Sequence, residues 1–218
     1  MRKITLGQTA VFTALAVLAA ILTAATTQVL LGRIPSGDFR GLALVSAALV
    51  FFFLYMLLVY RLFLLVAPLK EGPVDKGSRE EFVYFVYELF YLMLFHSFTR
   101  SHVVPVPLMR LIYVGLGARF GANSYSAGTL LDPPLTSMGD NCIVGHDAVL
   151  FCHVVEGEQL SLHRIRLGNN VTIGAKAVIM PGVTIGDNAI VAVSAVVSKG
   201  TQIGADERWG GIPARRIH

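Results

Sequence analysis

The sequence predicts two kinds of structure in series: an N-terminal α-helical membrane region, then an all-β domain coiling as a parallel β-helix. Three observations predict this. Two long apolar runs without charge occupy the first third of the chain. An aliphatic or β-branched residue recurs at every sixth position, at Leu167, Ile173, Ile179, Ile185, Val191, Val197 and Ile203. The composition, 54% apolar and only 15% charged over 218 residues with a mean hydropathy of +0.63, is not that of an ordinary soluble protein.

Residues 10–31 carry no charge, and residues 41–60 form a second uncharged run that extends past Arg61 to Ala67. Each is long enough to cross a hydrocarbon core of about 30 Å as a helix. A cleavable signal peptide does not fit the first run, whose apolar part is too long and is not followed by a polar, soluble region. Two spans joined by a turn at residues 32–40 are therefore expected, making up residues 1–70. The first is rich in small residues (Ala16, Ala19, Ala20, Ala24, Ala25) that let helices approach closely. Arg2 and Lys3 before the spans, with Lys70, Lys76 and Arg79 after them, favour both termini in the cytosol.

Residues 71–113 form a connector and an aromatic helix. The polar stretch 71–81 contains Gly72, Pro73 and Gly77, and residues 82–98 are dense in aromatics. A third span would place the rest of the chain outside the cytosol. The expectation is a helix lying in the interface or packed on the other two, because its aromatics suit the headgroup level. Pro105 and Pro107 end helix there.

A period of six matches neither a helix, near 3.6, nor a flat strand, near 2. It marks a chain coiling in short parallel strands, three hexads to a triangular turn, with turns about 4.8 Å apart. Gly168, Gly174, Gly186 and Gly204 follow the openers, where they are expected to relieve crowding at positive φ, and the fifth places (Val171, Ala177, Val183, Ala189, Ala195, Thr201) are small or β-branched. Counting back from Met138 in sixes gives Asp132, Ser126, Phe120 and Val114, with Asp132 and Ser126 as poor openers; counting forward gives Val144 and Leu150. A coil over residues 114–218 follows, interrupted by an ejected loop at 156–166, a little under five turns in all. The membrane segment and the tail from Trp209 are expected to cap its ends.

The net charge of +4 has no basic helix or aromatic-studded strand beside it, so nucleic acid is not an expected partner. Cys142 and Cys152 form no CxxC pair, and reduced, partly buried thiols are expected.

The runs MGDNCIVGHDAVLFCH, IRLGNNVTIGAKAVIMPGVTIGDNAIVAVSAVVSKGTQIG and RWGGIPARRI resemble the hexapeptide-repeat acyltransferases, nearest to the sugar O-acetyltransferase branch. The resemblance covers residues 114–217 and implies a left-handed β-helix, a hexapeptide-repeat solenoid, working as a homotrimer. It implies acetyl-CoA or another acyl-CoA as co-substrate. It further implies that His153, on the last coil before the loop, is the general base that takes the proton from an acceptor hydroxyl; imidazole is largely neutral at cytosolic pH and suits the task. The family usually has Gly-His-Pro where this chain has Cys152-His153-Val154. His146 is the rival base, and His163 belongs to the loop. Coenzyme A is implied to lie in a cleft between subunits, along backbone at Ala175 and Val193, with Ser198, Lys199, Arg215 and Arg216 lining its nucleotide end. Here the chain has Ala192-Val193-Ser194 in place of the usual Gly-Ala-Gly. Trp209 covers the adenine or caps the prism.

The reading is thus a multi-pass protein of the cytoplasmic membrane, its coil in the cytosol. It transfers an acyl group to a hydroxyl, or an amine, on a cell-envelope glycan or lipid-linked acceptor, with membrane lipid as its other partner. The competing class is a membrane-tethered trimeric scaffold without catalysis. A zinc site like that of γ-class carbonic anhydrases is a third, although its spacing of His ligands differs from 146, 153 and 163.

Overall fold

The computed structural model describes residues 2–33, 37–101 and 103–217. Backbone contacts divide them into two compact units. One contains residues 3–68 and Phe82–Phe90; the other contains Arg2, Leu69–Glu81 and the chain from Tyr91 onward.

The first unit is helical. Helix α1, Leu6–Leu31, begins at a capping box in which the Thr5 hydroxyl accepts from the Gln8 amide while the Thr5 amide donates to the Gln8 side chain. Helix α2 is Arg40–Val66. Both predicted spans are therefore single helices, and Ile34, Pro35 and Ser36 of the predicted turn lie outside the described residues. Ala19, Thr23 and Thr27 of α1 are buried, with Met56, Val59 and Tyr60 of α2, and Thr26 shares a hydrogen bond of 2.6 Å with Tyr55. The opposite faces, including Val17, Ile21, Leu49, Leu54 and Leu65, are exposed. Phe90 packs on Phe12, Tyr60 and Phe63, and Tyr87 on Tyr60, so the aromatic segment docks on both helices within this unit. Among the described residues, three helices, Leu6–Leu31, Gly37–Val66 and Arg79–Arg100, are long and apolar enough to cross a membrane.

The second unit begins with strand β1, Gly72–Val74, and the start of helix α3, Arg79–Phe90, which continues through a π-turn at Tyr91–Phe95 into α4, His96–Arg100. Helix α5, Val106–Gly115, starts with Pro107 in its first turn. The coil follows. Its strands are β2 (Arg119–Phe120), β3 (Tyr125–Ser126), β4 (Thr129–Leu130), β5 (Thr136–Met138), β6 (Ile143–Val144) and β7 (Val149–Leu150) before an excursion. The excursion is a hairpin of β8 (His153–Glu156) and β9 (Gln159–Leu162). The coil resumes with β10 (Ile165–Leu167), β11 (Thr172–Ile173), β12 (Val178–Ile179), β13 (Thr184–Ile185), β14 (Ile190–Val191), β15 (Val196–Val197) and β16 (Gln202–Ile203). It ends in β17 (Arg208–Gly211) and β18 (Ala214–Arg216).

Every third coil strand falls in the same parallel sheet. The first face stacks β2, β5, β10, β13 and β16; the second β3, β6, β11, β14 and β17; the third β4, β7, β12 and β15. The hexad openers point inward as expected. Ile173, Ile179, Ile185, Val191 and Val197 are at most 1% exposed, and the fifth places Val171, Ala177, Val183, Ala189 and Ala195 are wholly buried. Each such aliphatic residue contributes roughly 1.5–3 kcal/mol by leaving water.

The glycines after the openers relieve crowding, as expected, but without the positive φ expected beside it. A Cβ on Gly145 would stand 2.6 Å from the amide nitrogen of Ala175 on the next turn, and one on Gly186 the same distance from that of Ala205. Gly168 and Gly174 are likewise pressed against the next coil, whereas at Gly204, on the last one, a Cβ would meet only the Glu207 carboxylate. The left-handed backbone falls two residues later, at Asn123, Asn141, Asn170, Asn188 and Asp206 on the first corner and at Asp147, Lys176 and Ser194 on the second. Asn tolerates that conformation, and the side chains also bond coil to coil: Asn170 donates to Asn188 and Asn188 to Asp206, each at 3.0 Å.

Three boundaries differ from the sequence frame. At Val114 the chain is still in α5, so the first coil strand is β2; α5 buries Met109 and Tyr113 at this end, where Tyr113 faces Phe120. The excursion runs from 153 to 164 instead of 156 to 166, with its turn at Gly157 (φ +63°), and Ile165 and Arg166 already pair with the coil. Leu130, and not Asp132, pairs with Leu150 on the third face, so the frame slips by two residues after Ser126.

Candidate active site

That slip positions the site. Because Leu130 closes the third face early, Asp132 falls beyond the strand, at the corner where the chain turns through Pro133–Leu135 toward β5. One coil later, β7 ends at the same corner and Cys152 and His153 begin the hairpin. Asp132 is fully buried, and its Oδ2 receives three N–H groups: the amide of Cys152 at 2.7 Å, the amide of His153 at 3.2 Å and Nδ1 of His153 at 2.8 Å. A carboxylate only accepts, so the shared proton sits on Nδ1 and the imidazole lone pair on Nε2. Asp132 Oδ1 is buried with no hydrogen-bond partner, a cost of about 1–3 kcal/mol that this arrangement tolerates. The His153 side chain remains 27% exposed and lies beside the Phe151 ring.

Sequence reasoning singled out His153 but did not name Asp132 as its partner. The signal was present as an acidic residue in a column of apolar openers, read only as a poor repeat.

The neighbouring Cys152 is not a nucleophile. Its thiol is wholly buried, points toward the Leu135 carbonyl, and is pushed far up by burial and then by the Asp132 charge. Cys142 is likewise buried and raised, chiefly by desolvation.

The hairpin carrying His153 is fastened on several sides. β1 pairs antiparallel with β9, which pairs with β8. Glu71, just before β1, accepts from the Arg166 guanidinium at 2.8 Å and the Arg164 amide at 3.0 Å. Arg2 donates to the Glu158 and Val74 carbonyls and pairs with Glu81 at 2.8 Å. His163 stands at the foot of the hairpin, its amide bonded to the Cys152 carbonyl at 2.7 Å.

His146 occupies a different corner. Its side chain is 61% exposed, and its carboxylate neighbour is the exposed Asp147 at 3.6 Å. Ala175 and Val193 stack on this same corner: Lys176 N–H donates to the His146 carbonyl and Ser194 N–H to that of Ala175, each at 2.9 Å. His146 also borders a cleft of about 90 Å³ with Ser126, Gly128, Val104 and Met109, and Asp147 borders one of about 320 Å³ with Arg100, Thr129, Leu131 and Val149.

The remaining predicted residues lie in two places. Ser198 and Lys199 are on the His153 corner, where Gly200 N–H bonds the Pro181 carbonyl; Lys199 reaches the hairpin and pairs with Glu156 at 2.8 Å. Arg215 and Arg216 are on β18, and Arg216 pairs with Glu207 at 3.0 Å. The Trp209 indole, on the second face, also donates to Glu207, and this bond above all, then the Gly204 amide and Arg216, holds that carboxyl below its usual range. The predicted residues thus fall into three groups: one beside His153, one beside His146 and one on the terminal hairpin. Among the described residues, no three His, Cys, Asp or Glu side chains gather as a metal-binding group.

Residues 164–199 match the family described as bacterial transferase hexapeptide, six repeats. That match takes in 36 of the 218 residues, in the part of the coil that follows the hairpin. A search of curated proteins returned no match. Among solved structures, a galactoside acetyltransferase in complex with coenzyme A is 26% identical, over 60% of this chain and 79% of that one, with a TM-score of 0.48. A hexapeptide-repeat acetyltransferase from Vibrio cholerae is 26% identical over 48% and 63%, at 0.44. A maltose O-acetyltransferase from Clostridium difficile is 18% identical over 67% and 91%, at 0.41. This chain spans less than two thirds of the length of the Vibrio cholerae protein.

Proposed function

We propose that this chain is a membrane-anchored acyltransferase that moves an acyl group, foremost acetyl, from acyl-CoA to a hydroxyl of a cell-envelope glycan or lipid-linked acceptor. The observation that carries the reading is the His153–Asp132 pair, set on a hexapeptide coil of the transferase kind. His153 Nε2 takes the hydroxyl proton as the oxygen attacks the thioester carbonyl. Asp132 holds the ring in the required tautomer and stabilises the imidazolium that forms. Collapse of the tetrahedral adduct breaks the carbon–sulfur bond, and His153 returns the proton to the departing thiolate. A positioned base of this kind supplies about 10²–10⁴-fold.

The coil is left-handed and assembles as a homotrimer, with acyl-CoA between neighbouring subunits. The pantetheine arm runs along the Ala175 and Val193 corner, and Ser198, Lys199, Arg215 and Arg216 serve the phosphates by charge-assisted bonds. The ion pairs of Lys199 with Glu156 and of Arg216 with Glu207 open to accept them. The helices anchor the enzyme in the cytoplasmic membrane with the coil in the cytosol, where the acceptor arrives at the bilayer.

Purified protein with acetyl-CoA and membrane extract should release thiol and acetylate an acceptor, and His153→Ala should lower both by about 10²–10⁴-fold. Absence of coenzyme A binding overturns the reading. A monomer by mass measurement in detergent overturns the shared cleft.

A further inference from the structure

The chain from the second half of the aromatic helix to the start of the coil has a surface unlike the coil's. Residues 92–114 expose eight large apolar side chains: Leu92, Met93, Phe98, Val103, Val106, Leu108, Leu111 and Val114. From residue 119 to 217, more than four times as much chain, six are exposed, scattered at Ile143, Val155, Ile190, Val193, Ile212 and Ile217. On α5 the apolar residues form two faces. Met109 and Tyr113 face the coil and are buried, whereas Leu108, Leu111 and Val114, three residues apart, make an outer stripe that is 52%, 65% and 42% exposed. Val103, 81% exposed, continues the surface ahead of the helix.

Charge separates the possible occupants of this stripe. No Asp or Glu occurs from residue 89 to residue 131, while Arg100 and Arg119 are exposed at either end of the segment. An exposed apolar stripe, exposed cations and no acids are the composition of a helix lying in the headgroup region of an anionic bilayer. A protein interface has no comparable reason to exclude acids over 43 residues.

We infer that residues 103–114 form an interfacial membrane surface, with the Leu108, Leu111 and Val114 stripe of α5 in the headgroup–acyl boundary and Arg100 and Arg119 toward anionic headgroups. This rests on the membrane reading above and extends it. The coil has a lipid contact of its own, separate from the spanning helices, and the clefts at His146 and Asp147, lined in part by Val104, Val106 and Arg100, open beside lipid.

The test uses the full chain in nanodiscs of phosphatidylcholine with a minority of phosphatidylglycerol. An environment-sensitive fluorophore is placed at Leu111→Cys, with Leu54→Cys on α2 and Ile190→Cys on the coil as references; the native Cys142 and Cys152 are wholly buried. Expected are a blue-shifted Leu111→Cys emission quenched more by headgroup-level than by deep spin-labelled lipid, a Leu54→Cys emission quenched most by deep label, and no quenching at Ile190→Cys. Omitting phosphatidylglycerol should weaken the quenching at position 111 several-fold and leave position 54 unchanged. If position 54 is quenched and position 111 is not, the surface is aqueous or, where the emission is still blue-shifted, covered by a second copy; either overturns the inference alone. If neither is quenched, the membrane reading falls and takes this inference with it.

Discussion

Asp132→Asn tests the base most directly. The variant keeps the volume of the buried side chain and one carbonyl oxygen to accept from the Cys152 and His153 amides, so the corner should hold its shape. What disappears is the charge facing Nδ1 at 2.8 Å. A hydrogen bond to a charged partner contributes about 1.5–3 kcal/mol and a neutral one about 0.5–1.5. The difference is felt mainly when His153 is an imidazolium, that is, in the transition state. Losing about 1.3 kcal/mol there lowers kcat roughly 10-fold, with the KM for acyl-CoA nearly unchanged. The melting temperature should fall by only a few degrees, about what 1 kcal/mol produces in a chain of this size. His153→Ala should cost about 10²–10⁴-fold, and the double variant should be no slower than His153→Ala, because Asp132 acts through the imidazole. Thiol release from acetyl-CoA, followed at saturating acceptor, measures all three. If the two losses multiply, or if Asp132→Asn turns over at the wild-type rate while His153→Ala is dead, Asp132 is only a structural partner of the Cys152 and His153 amides.

Lys199 and Glu156 should have opposite effects: Lys199→Ala raises the KM for acyl-CoA about 10-fold by removing a phosphate partner, whereas Glu156→Gln lowers it by releasing Lys199 from its 2.8 Å ion pair, both read from initial rates. Gly145→Ala should destabilise the coil by about 2 kcal/mol or more, since the added Cβ meets backbone of the next turn, while Asn188→Gly, at φ +59°, should cost about 1 kcal/mol through its lost ladder bonds; thermal melts order the two. Tyr113, buried between α5 and the first coil, donates to the Gly128 carbonyl, and burial pushes its phenol up to about 12. Its folded value is raised, so its contribution is fully present below the ordinary tyrosine value near 10 and is lost as pH rises through about 12; melts over that window should show at most about 3 kcal/mol more loss in wild type than in Tyr113→Phe.

The regular part of the coil was readable because one buried residue per strand repeats along the sequence itself. Ile173, Ile179 and Ile185 need no partner to be recognised, and all three are inside the prism. The backbone conformation of the glycines was not readable, since Gly145 looks the same whether or not the close approach of Ala175 from the next coil is accompanied by a positive φ. The hairpin was invisible for a related reason: its outer edge is completed by Gly72–Val74, some 90 residues earlier, and pairing at that distance leaves no period. Asp132 lay between these cases. Strands on the first two faces recur after 18 residues, as Phe120 to Met138 and Ser126 to Val144, whereas Leu130 to Leu150 takes 20. Those two additional residues turn Asp132 out of the inward column and into the corner that His153 enters from the next turn. A strictly periodic coil would put an aliphatic side chain at each opener and send no carboxylate to meet an imidazole. In this chain the repeat builds the wall, and the proposed chemistry falls where the repeat is broken twice in succession, by the slip before Asp132 and by the excursion that begins at His153.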